Sequence, residues 1–367
     1  MERVLLKGNE AIAEAAIRAG CRFFAGYPIT PQNDIPEYMS RRMPQPDVRG
    51  VYLQGESETA SAAMLYGAGA SGVRSMTSSS SCGIALMAEI IAWMAGACLP
   101  VVICNVGRGG PGIGSIQPAQ QDYFMATKAA GNGGFRMLVL APSTVQEAVD
   151  MMVQAFDLAQ KYMYPVYVLA DGFTGSMMEP VILPEMMSDE ELAADKKKNE
   201  AWAVTGRKGA AKFKRIGAGS RPGVPRTTLE AKNTDDWKMY EQWKVDELEY
   251  ETYETDDAEL VITSYGVSAR ISRSAVDLLR KDGYKVGFIR PIKVHPFPDI
   301  AYEKLNYDKL KGILCVEMSI PPQFTYDVEH VVRKRTKIET CLRSGGEIVE
   351  RSAIIDAAKK LYDAKGM

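Results

Sequence analysis

Apolar positions along the first 170 residues alternate between two kinds of segment. Short runs rich in apolar residues predict strands at 22–25, 51–54, 73–77, 101–106, 137–140 and 164–170. Between them, apolar residues three or four positions apart predict helices, among them 9–18, 83–97 and one from Ser57. A long helix is predicted to begin at Ser143, with Gln146 as its capping-box partner. This alternation indicates an α/β fold with a largely parallel sheet covered by helices on both faces.

The alternating pattern is lost from about residue 172 to residue 257 and then returns. The intervening chain is highly charged at 190–198 and is basic, with glycine and proline, at 206–226. From residue 260, strands at 260–264, 285–290, 312–317 and 338–342 and helices at 268–280 and 352–362 predict a second, smaller α/β domain. We therefore expect domains at 1–185 and 257–367, joined by a charged linker or arm at 186–256. The arm is either a solvated excursion between domains or a segment that wraps a partner subunit.

Composition excludes several classes of protein. Lys+Arg is 44 and Asp+Glu is 46, a net charge of −2, so no general attraction for nucleic acid or an acidic membrane is expected. The most apolar stretch, 84–104, contains Glu89 and is interrupted at Pro100, which predicts a buried helix and strand rather than a membrane span. The N-terminus does not resemble a signal peptide, so we expect a cytoplasmic protein.

Cysteine and histidine usage narrows the chemistry further. None of the six cysteines forms a C-x-x-C pair, which argues against iron–sulfur and zinc sites built on local spacing. With only two histidines, a Ser-His-Asp hydrolase or a histidine-rich metal site is poorly supported.

Four unusual loops follow strands of the first domain, at 27–31, 55–58, 77–83 and 107–112. Because ligands bind beyond the carboxyl ends of parallel strands, these loops can converge on one cleft. The last loop matches G-x-G-x-x-G, but no acidic residue ends the next strand, which disfavours a nicotinamide dehydrogenase. Arg108 within it offers a fork that can grip a carboxylate. Glu56 and Glu58 lie at a helix start, where an acid is most often a dipole-favourable cap.

At these same loops the chain resembles the 2-oxoacid:ferredoxin oxidoreductase family. The motifs that carry the resemblance are Gly-Tyr-Pro-Ile-Thr-Pro at 26–31, Glu-Ser-Glu at 56–58, Ser79-Ser80, Arg108, Gln121-Asp122, Ala-Asp-Gly at 170–172, Ser-Tyr-Gly at 264–266 and Gly-Phe-Ile-Arg-Pro at 287–291. The similarity covers both domains but not the arm. It is greatest to the subunit of the branched-chain (2-oxoisovalerate) enzymes that carries the thiamine-diphosphate pyrimidine-binding domain, with a transketolase C-terminal-like second domain.

The resemblance implies an oxidative decarboxylation of a 2-oxoacid with coenzyme A, giving an acyl-CoA and CO2 and passing electrons to ferredoxin. A glutamate at the position of Glu58 binds the aminopyrimidine of thiamine diphosphate and activates the cofactor. The other implied contacts are to the cofactor from Pro28, Ile29, Ser79 and Ser80, and to the substrate from Thr30 and Arg108. No metal ligand is implied for this chain.

The resemblance also implies partners, because parts of the enzyme are missing. The chain has no G-D-G…N signature for the cofactor's diphosphate and Mg²⁺ and no cluster cysteines. These are expected on a diphosphate-binding subunit and on ferredoxin-like and gamma-type subunits. Two alternatives stay open: the same chemistry on 2-oxoglutarate or an aryl pyruvate, and a non-catalytic scaffold subunit.

The chain departs from the family at one loop. Where relatives often have Ser-Ser-Gly-Pro-Gly, it has Ser81 and Cys82 in the third and fourth positions. We expect Cys82 to be a small buried residue rather than a redox thiol.

Overall fold

The computed structural model describes residues 3–128, 130–206, 214–217, 219 and 221–364. Part of the basic segment predicted at 206–226 therefore lies outside the described residues. The first half of the chain contains, in order, β1 (Arg3–Lys7), α1 (Gly8–Arg18), β2 (Phe23–Gly26), α2 (Asp34–Arg42), β3 (Val51–Gln54), α3 (Glu58–Ala70), β4 (Ser75–Ser79), α4 (Cys82–Gly96), β5 (Val101–Gly107), α5 (Tyr123–Thr127), β6 (Leu138–Leu140), α6 (Val145–Tyr162), β7 (Val166–Asp171), α7 (Gly172–Ser176) and β8 (Met178–Ile182).

The second half supplies a further set of helices and strands. In chain order these are α8 (Asp189–Asn199), α9 (Leu229–Asp246), β9 (Tyr250–Tyr253), β10 (Leu260–Thr263), α10 (Gly266–Lys281), β11 (Val286–Pro291), β12 (Lys293–His295), α11 (Asp299–Glu303), β13 (Gly312–Glu317), α12 (Phe324–Val332), β14 (Ile338–Leu342) and α13 (Arg351–Asp363).

Two sheets confirm the α/β prediction. A seven-stranded sheet has the order β12-β6-β7-β5-β4-β2-β3 and is parallel except for β12, which pairs antiparallel with β6. Strands β4, β5 and β7 are buried along their whole length, as expected for a parallel sheet covered on both faces. A five-stranded sheet, β14-β13-β10-β11-β9, is parallel except for β9. The short strands β1 and β8 form a separate antiparallel pair.

Two of the predicted helices begin after side-chain caps, one of them displaced from the prediction. Ser57 caps α3, because its hydroxyl oxygen accepts a hydrogen bond from the amide nitrogen of Ala60 at 3.2 Å. Thr144, and not Ser143, caps α6, because the Thr144 hydroxyl oxygen accepts from the Glu147 amide at 3.1 Å. The predicted capping-box partner Gln146 instead bonds the backbone of Ile182, at the end of β8.

The segment predicted as an arm contains two helices that its pattern did not predict. The buried positions of α9 are Lys232, Asp236 and Trp243, so two of the three carry charge and no apolar periodicity is visible. Lys232 and Asp236 pair with each other inside the molecule, and Trp243 is fully buried in the core of the first sheet. In α8, Asp195 pairs with Arg74 at 2.6 Å. Both helices thus pack against the first sheet unit.

Gln120 ties the loop after β5 to the second sheet unit. Its side-chain amide donates to the carbonyl oxygen of Tyr265 at 2.8 Å and accepts from the Ser268 hydroxyl at 2.6 Å. Its backbone amide donates to the carbonyl oxygen of Met318 at 2.9 Å. Because these hydrogen bonds hold Gln120 in place, the loop that follows Arg108 is anchored at its far end.

Candidate active site

The carboxyl ends of β2, β3, β4 and β5 lie side by side, because these neighbouring strands are all parallel. The loops that follow them are the four singled out in the sequence. The predicted site residues therefore collect at one edge of one sheet.

Glu58 stands in the first turn of α3, and its side chain is buried. The residue is 7% exposed, yet across the described part of the chain its carboxylate makes no hydrogen bond or ion pair. Ser57 already provides the helix cap, so Glu58 is not needed for that role. Its Oε1 lies beside Gly83 of α4, where an added Cβ would be 2.9 Å away. A buried carboxylate with no partner is costly unless a ligand completes it.

Ser79 ends β4 and Ser80 follows it, and both are fully buried. Neither hydroxyl oxygen has a hydrogen-bond partner within the part of the chain that the structure describes. The Ser79 hydroxyl lies against Gly83, on the side where Glu58 also approaches. Unpartnered buried hydroxyls beside an unpartnered carboxylate form a polar cradle rather than a packed core.

Arg108 follows β5 and is 6% exposed. Its Nη1 donates to the carbonyl oxygen of Thr30 at 2.8 Å, and its Nη2 lies 3.0 Å from the Cys82 sulfur. Its Nε has no partner among the described residues. Two of the guanidinium nitrogens are thus fixed by the protein, while N–H donors remain for a ligand.

The loop at 27–31 is held against β4 by a residue that the sequence did not single out. Gln32 is fully buried; its Nε2 donates to the Tyr27 carbonyl oxygen at 3.1 Å and its Oε1 accepts from the Ser78 hydroxyl at 2.6 Å. Pro28 is exposed, whereas Ile29 and Thr30 are half-buried. Asn33 Nδ2 donates to the Thr30 hydroxyl oxygen at 3.3 Å. The Thr30 hydroxyl proton therefore stays available to a ligand.

Asp122 is a second residue whose role the sequence did not reveal, although Gln121-Asp122 lies in a family motif. Its Oδ2 accepts from the Ser81 hydroxyl at 2.6 Å and from Asn105 Nδ2 at 2.9 Å. Burial raises the pKa of the Asp122 carboxyl, while the bonds from Ser81 and Asn105 and the charge of Arg108 oppose that rise. Asp122 is connected to the start of the loop that carries Arg108 through the Ser81 hydroxyl, which bonds both residues.

The expectation that Cys82 is buried is wrong. Five of the six cysteines are buried, and Cys82 is the half-exposed one. It stands at the first position of α4 with its sulfur toward the guanidinium of Arg108. The contact depends on the cysteine that stands where the expected motif Ser-Ser-Gly-Pro-Gly has proline.

The described residues contain neither a cluster of metal-ligating side chains nor a membrane-spanning helix. No group of three or more His, Cys, Asp or Glu side chains could hold a metal ion. None of the helices is long and apolar enough to cross a membrane.

Two family models cover most of the chain. Residues 14–252 match the model described as pyruvate flavodoxin/ferredoxin oxidoreductase, thiamine diP-binding, and residues 258–354 match pyruvate:ferredoxin oxidoreductase core domain II. The ketoisovalerate oxidoreductase subunit VorB of Methanothermobacter thermautotrophicus is 38% identical over 366 residues, 98% of each chain. The 2-oxoglutarate synthase subunit KorA of Methanocaldococcus jannaschii is 35% identical, over 95% of this chain and 97% of that one.

Solved structures agree with these relatives. The 2-oxoglutarate:ferredoxin oxidoreductase from Magnetococcus marinus, with 2-oxoglutarate, coenzyme A and succinyl-CoA bound, matches with a TM-score of 0.82 at 25% identity, over 99% of this chain and 66% of that longer chain. A split-gene transketolase shares the fold alone, with a TM-score of 0.58 at 11% identity, over 97% of this chain and 98% of that one. The chain therefore belongs to the thiamine-diphosphate-dependent 2-oxoacid:ferredoxin oxidoreductase family, as one subunit of a multi-subunit enzyme.

Proposed function

We propose that this subunit holds the pyrimidine end of thiamine diphosphate and that Glu58 activates the cofactor. The observation that carries the proposal is the buried Glu58 carboxylate, which lacks a partner in the described structure. A carboxyl group in that setting can share a proton with a ring nitrogen of the aminopyrimidine. The hydroxyls of Ser79 and Ser80 fit the same polar edge. When bound, the cofactor supplies the electron sink for loss of CO2.

Pro28 and Ile29 are proposed to complete this end of the cofactor site. They lie on the loop that Gln32 fastens to β4, so their backbone is held at the sheet edge. Half-exposed apolar and proline surfaces of this kind can pack on the face of a ring without competing for its hydrogen bonds.

Arg108 and Thr30 are proposed to bind the 2-oxoacid. The guanidinium retains N–H donors in the fork geometry that matches a carboxylate. The Thr30 hydroxyl accepts from Asn33 and can donate its own proton to the substrate near its carbonyl oxygen. Since the Thr30 carbonyl oxygen also receives Arg108 Nη1, the two substrate contacts are held at a fixed separation.

The proposed substrate is a branched-chain 2-oxoacid, oxidised with coenzyme A to its acyl-CoA. The loop from Gly109 to Ala119 contains no lysine or arginine that could pair with a second carboxylate. It exposes Ile113, at 80%, and Ile116, at 57%, beside the Arg108 position. The 38% identity to a ketoisovalerate enzyme subunit supports this choice, while the 35% identity to a 2-oxoglutarate enzyme subunit keeps that substrate as the alternative. Rates across a panel of 2-oxoacids, measured on the purified complex, decide between them.

The diphosphate and Mg²⁺ are proposed to be held by a diphosphate-binding subunit that docks on α3 and α4. These helices expose small and apolar residues, including Ala63 and Gly67 of α3 and, at 59% and 53% exposure, Leu86 and Trp93 of α4. Glu58 lies at the start of the same helix pair, so the partner would close the site over it.

A cavity of 820 Å³ between α4 and α9 contains none of the proposed site residues. Ferredoxin-like and gamma-type subunits are proposed to complete the complex and pass electrons to ferredoxin.

A charge introduced into this surface tests the docking. Leu86→Asp is expected to prevent co-purification of the diphosphate-binding subunit, because a buried unpaired carboxylate is strongly unfavourable. Leu5→Asp is the matched control, since Leu5 is 60% exposed but lies on β1. Equal recovery of the complex from both variants would contradict the proposed surface.

All six cysteines are free, as in a reducing compartment, which supports a cytoplasmic location.

The proposed role of Glu58 is tested in the assembled complex. Glu58→Gln is expected to abolish 2-oxoacid-dependent reduction of ferredoxin, because the amide cannot share a proton with the ring nitrogen. Glu56→Gln is the control, since Glu56 is an exposed acid two positions earlier. Full activity in the Glu58 variant would refute the assignment and favour the scaffold alternative.

A further inference from the structure

Ser81 adopts a backbone conformation that usually requires glycine. Its φ is +35° and its ψ is −90°, at the turn between β4 and α4. Residues with a Cβ rarely adopt a positive φ, and they keep it only where their surroundings over-determine it. The surroundings of Ser81 must therefore hold it in this conformation.

Three hydrogen bonds fix Ser81 in place. Its amide donates to Asn105 Oδ1 at 2.9 Å, and its hydroxyl oxygen accepts from the Arg108 amide at 2.9 Å. The same hydroxyl lies 2.6 Å from Asp122 Oδ2 and 3.2 Å from the Arg108 carbonyl oxygen. Because a hydroxyl has one proton and the carboxylate is both closer and charged, the proton goes to Asp122. The serine lone pair is thereby left facing the Arg108 amide.

Asp122 also orients the other group that binds this turn. Asn105 Nδ2 donates to Asp122 Oδ2 at 2.9 Å, which leaves Asn105 Oδ1 to receive the Ser81 amide. Asp122 is half-buried, and no lysine or arginine side chain of the described residues forms an ion pair with its carboxylate. Its only side-chain partners among those residues are the Ser81 hydroxyl and the Asn105 amide, so its role in the structure is to fix the direction of these two groups.

We propose that Asp122 is a positioning residue for the Arg108 clamp, acting through Ser81. The Asp122 carboxylate orients the Ser81 hydroxyl, and this hydroxyl accepts a hydrogen bond from the Arg108 amide. Ser80 and Cys82 flank Ser81 in the same turn. The start of the Arg108 loop is thus locked to the start of α4. The inference rests on the proposed function of Arg108 in binding the substrate carboxylate.

The test is a double-mutant cycle on the assembled complex with 2-oxoisovalerate as the varied substrate. Asp122→Ala is expected to raise KM by about tenfold while kcat changes by less than about twofold, because a displaced clamp loses ground-state binding. In an Arg108→Ala background the same change is expected to alter KM by less than about twofold, since residues that act through one contact are not additive. Asp122→Asn retains an acceptor oxygen for both donors and is expected to keep KM within about threefold of the parent.

The outcomes separate the two levels of the proposal. If Arg108→Ala raises KM and Asp122→Ala does not, or if their effects multiply, the positioning role is overturned and the clamp stands. If Arg108→Ala leaves KM unchanged, the clamp fails, and the role of Asp122 fails with it. A loss of kcat at constant KM in Asp122→Ala, with the asparagine variant equally affected, would show general damage to the loop and also overturn the inference.

Discussion

Arg108→Ala tests the substrate end of the site, and the structure sets the size of the effect. Of the five N–H donors of the guanidinium, one binds the Thr30 carbonyl oxygen and one contacts the Cys82 sulfur, so donors remain for a carboxylate. Removing one partner of a buried charge pair costs about 2–5 kcal/mol. At about 1.4 kcal/mol per factor of ten, KM should rise by roughly 30-fold to 4000-fold.

The assay is the initial rate of ferredoxin reduction by the complete complex at saturating coenzyme A, with the 2-oxoacid varied. Arg108→Lys is the informative control, because lysine keeps the charge but not the planar fork, so its KM should fall between those of the parent and the alanine variant. A KM unchanged by the alanine substitution would remove Arg108 from the substrate site. A KM equal in the two variants would instead show that the fork, and not the charge, carries the binding.

Three further predictions concern stability and accessibility. Lys293 is fully buried with Nζ 2.9 Å from both Glu247 and Glu249, while Glu247 also pairs with Lys161, so Lys293→Met should lower the free energy of urea unfolding by about 2 kcal/mol; a change under about 1 kcal/mol would contradict an energetic role for the cluster. Burial lowers the pKa of His295 from 6.5 to about 3, so below about pH 6.5 the unfolded chain binds a proton that the folded chain does not. This group alone should therefore lower the free energy of unfolding by about 2 kcal/mol from pH 8 to pH 5, and His295→Gln should remove that contribution; a parallel slope in the variant would refute the assignment. Iodoacetamide should label Cys82 of the native chain before its five buried cysteines, and bound 2-oxoacid should slow that labelling, which peptide mass mapping can follow; labelling insensitive to substrate would place the sulfur outside the site.

Strands formed by continuous apolar runs were predictable from the sequence. The runs at 101–106 and 312–317 became β5 (Val101–Gly107) and β13 (Gly312–Glu317), because burial of a strand on both faces favours a continuous apolar run. Helix α9 was not predictable in this way. It buries Lys232 and Asp236 against each other, and a charge pair satisfied inside the molecule reads in the sequence as a solvated surface.

The residues of the candidate site also fall into a group that the sequence could predict and a group that it could not. Glu58 and Arg108 could be singled out because they stand in short motifs at strand ends. Their supports could not, since each joins residues far apart in the chain: Ser78 meets Gln32 across 46 positions, and Ser81 meets Asp122 across 41. Hydrogen-bond partners of this kind are fixed by strand order, which periodicity alone does not determine.

The antiparallel strand β12 has a consequence for how the protein is made. Residues 293–295 complete the edge of the first sheet beside β6 (Leu138–Leu140), although the other strands of that sheet end by residue 171. During synthesis the nascent chain therefore carries an open β6 edge until the second half has left the ribosome. An open edge can pair with a strand from another molecule. Truncated forms that end before residue 293 should accordingly aggregate or recruit chaperones, even though they contain every residue proposed for the active site.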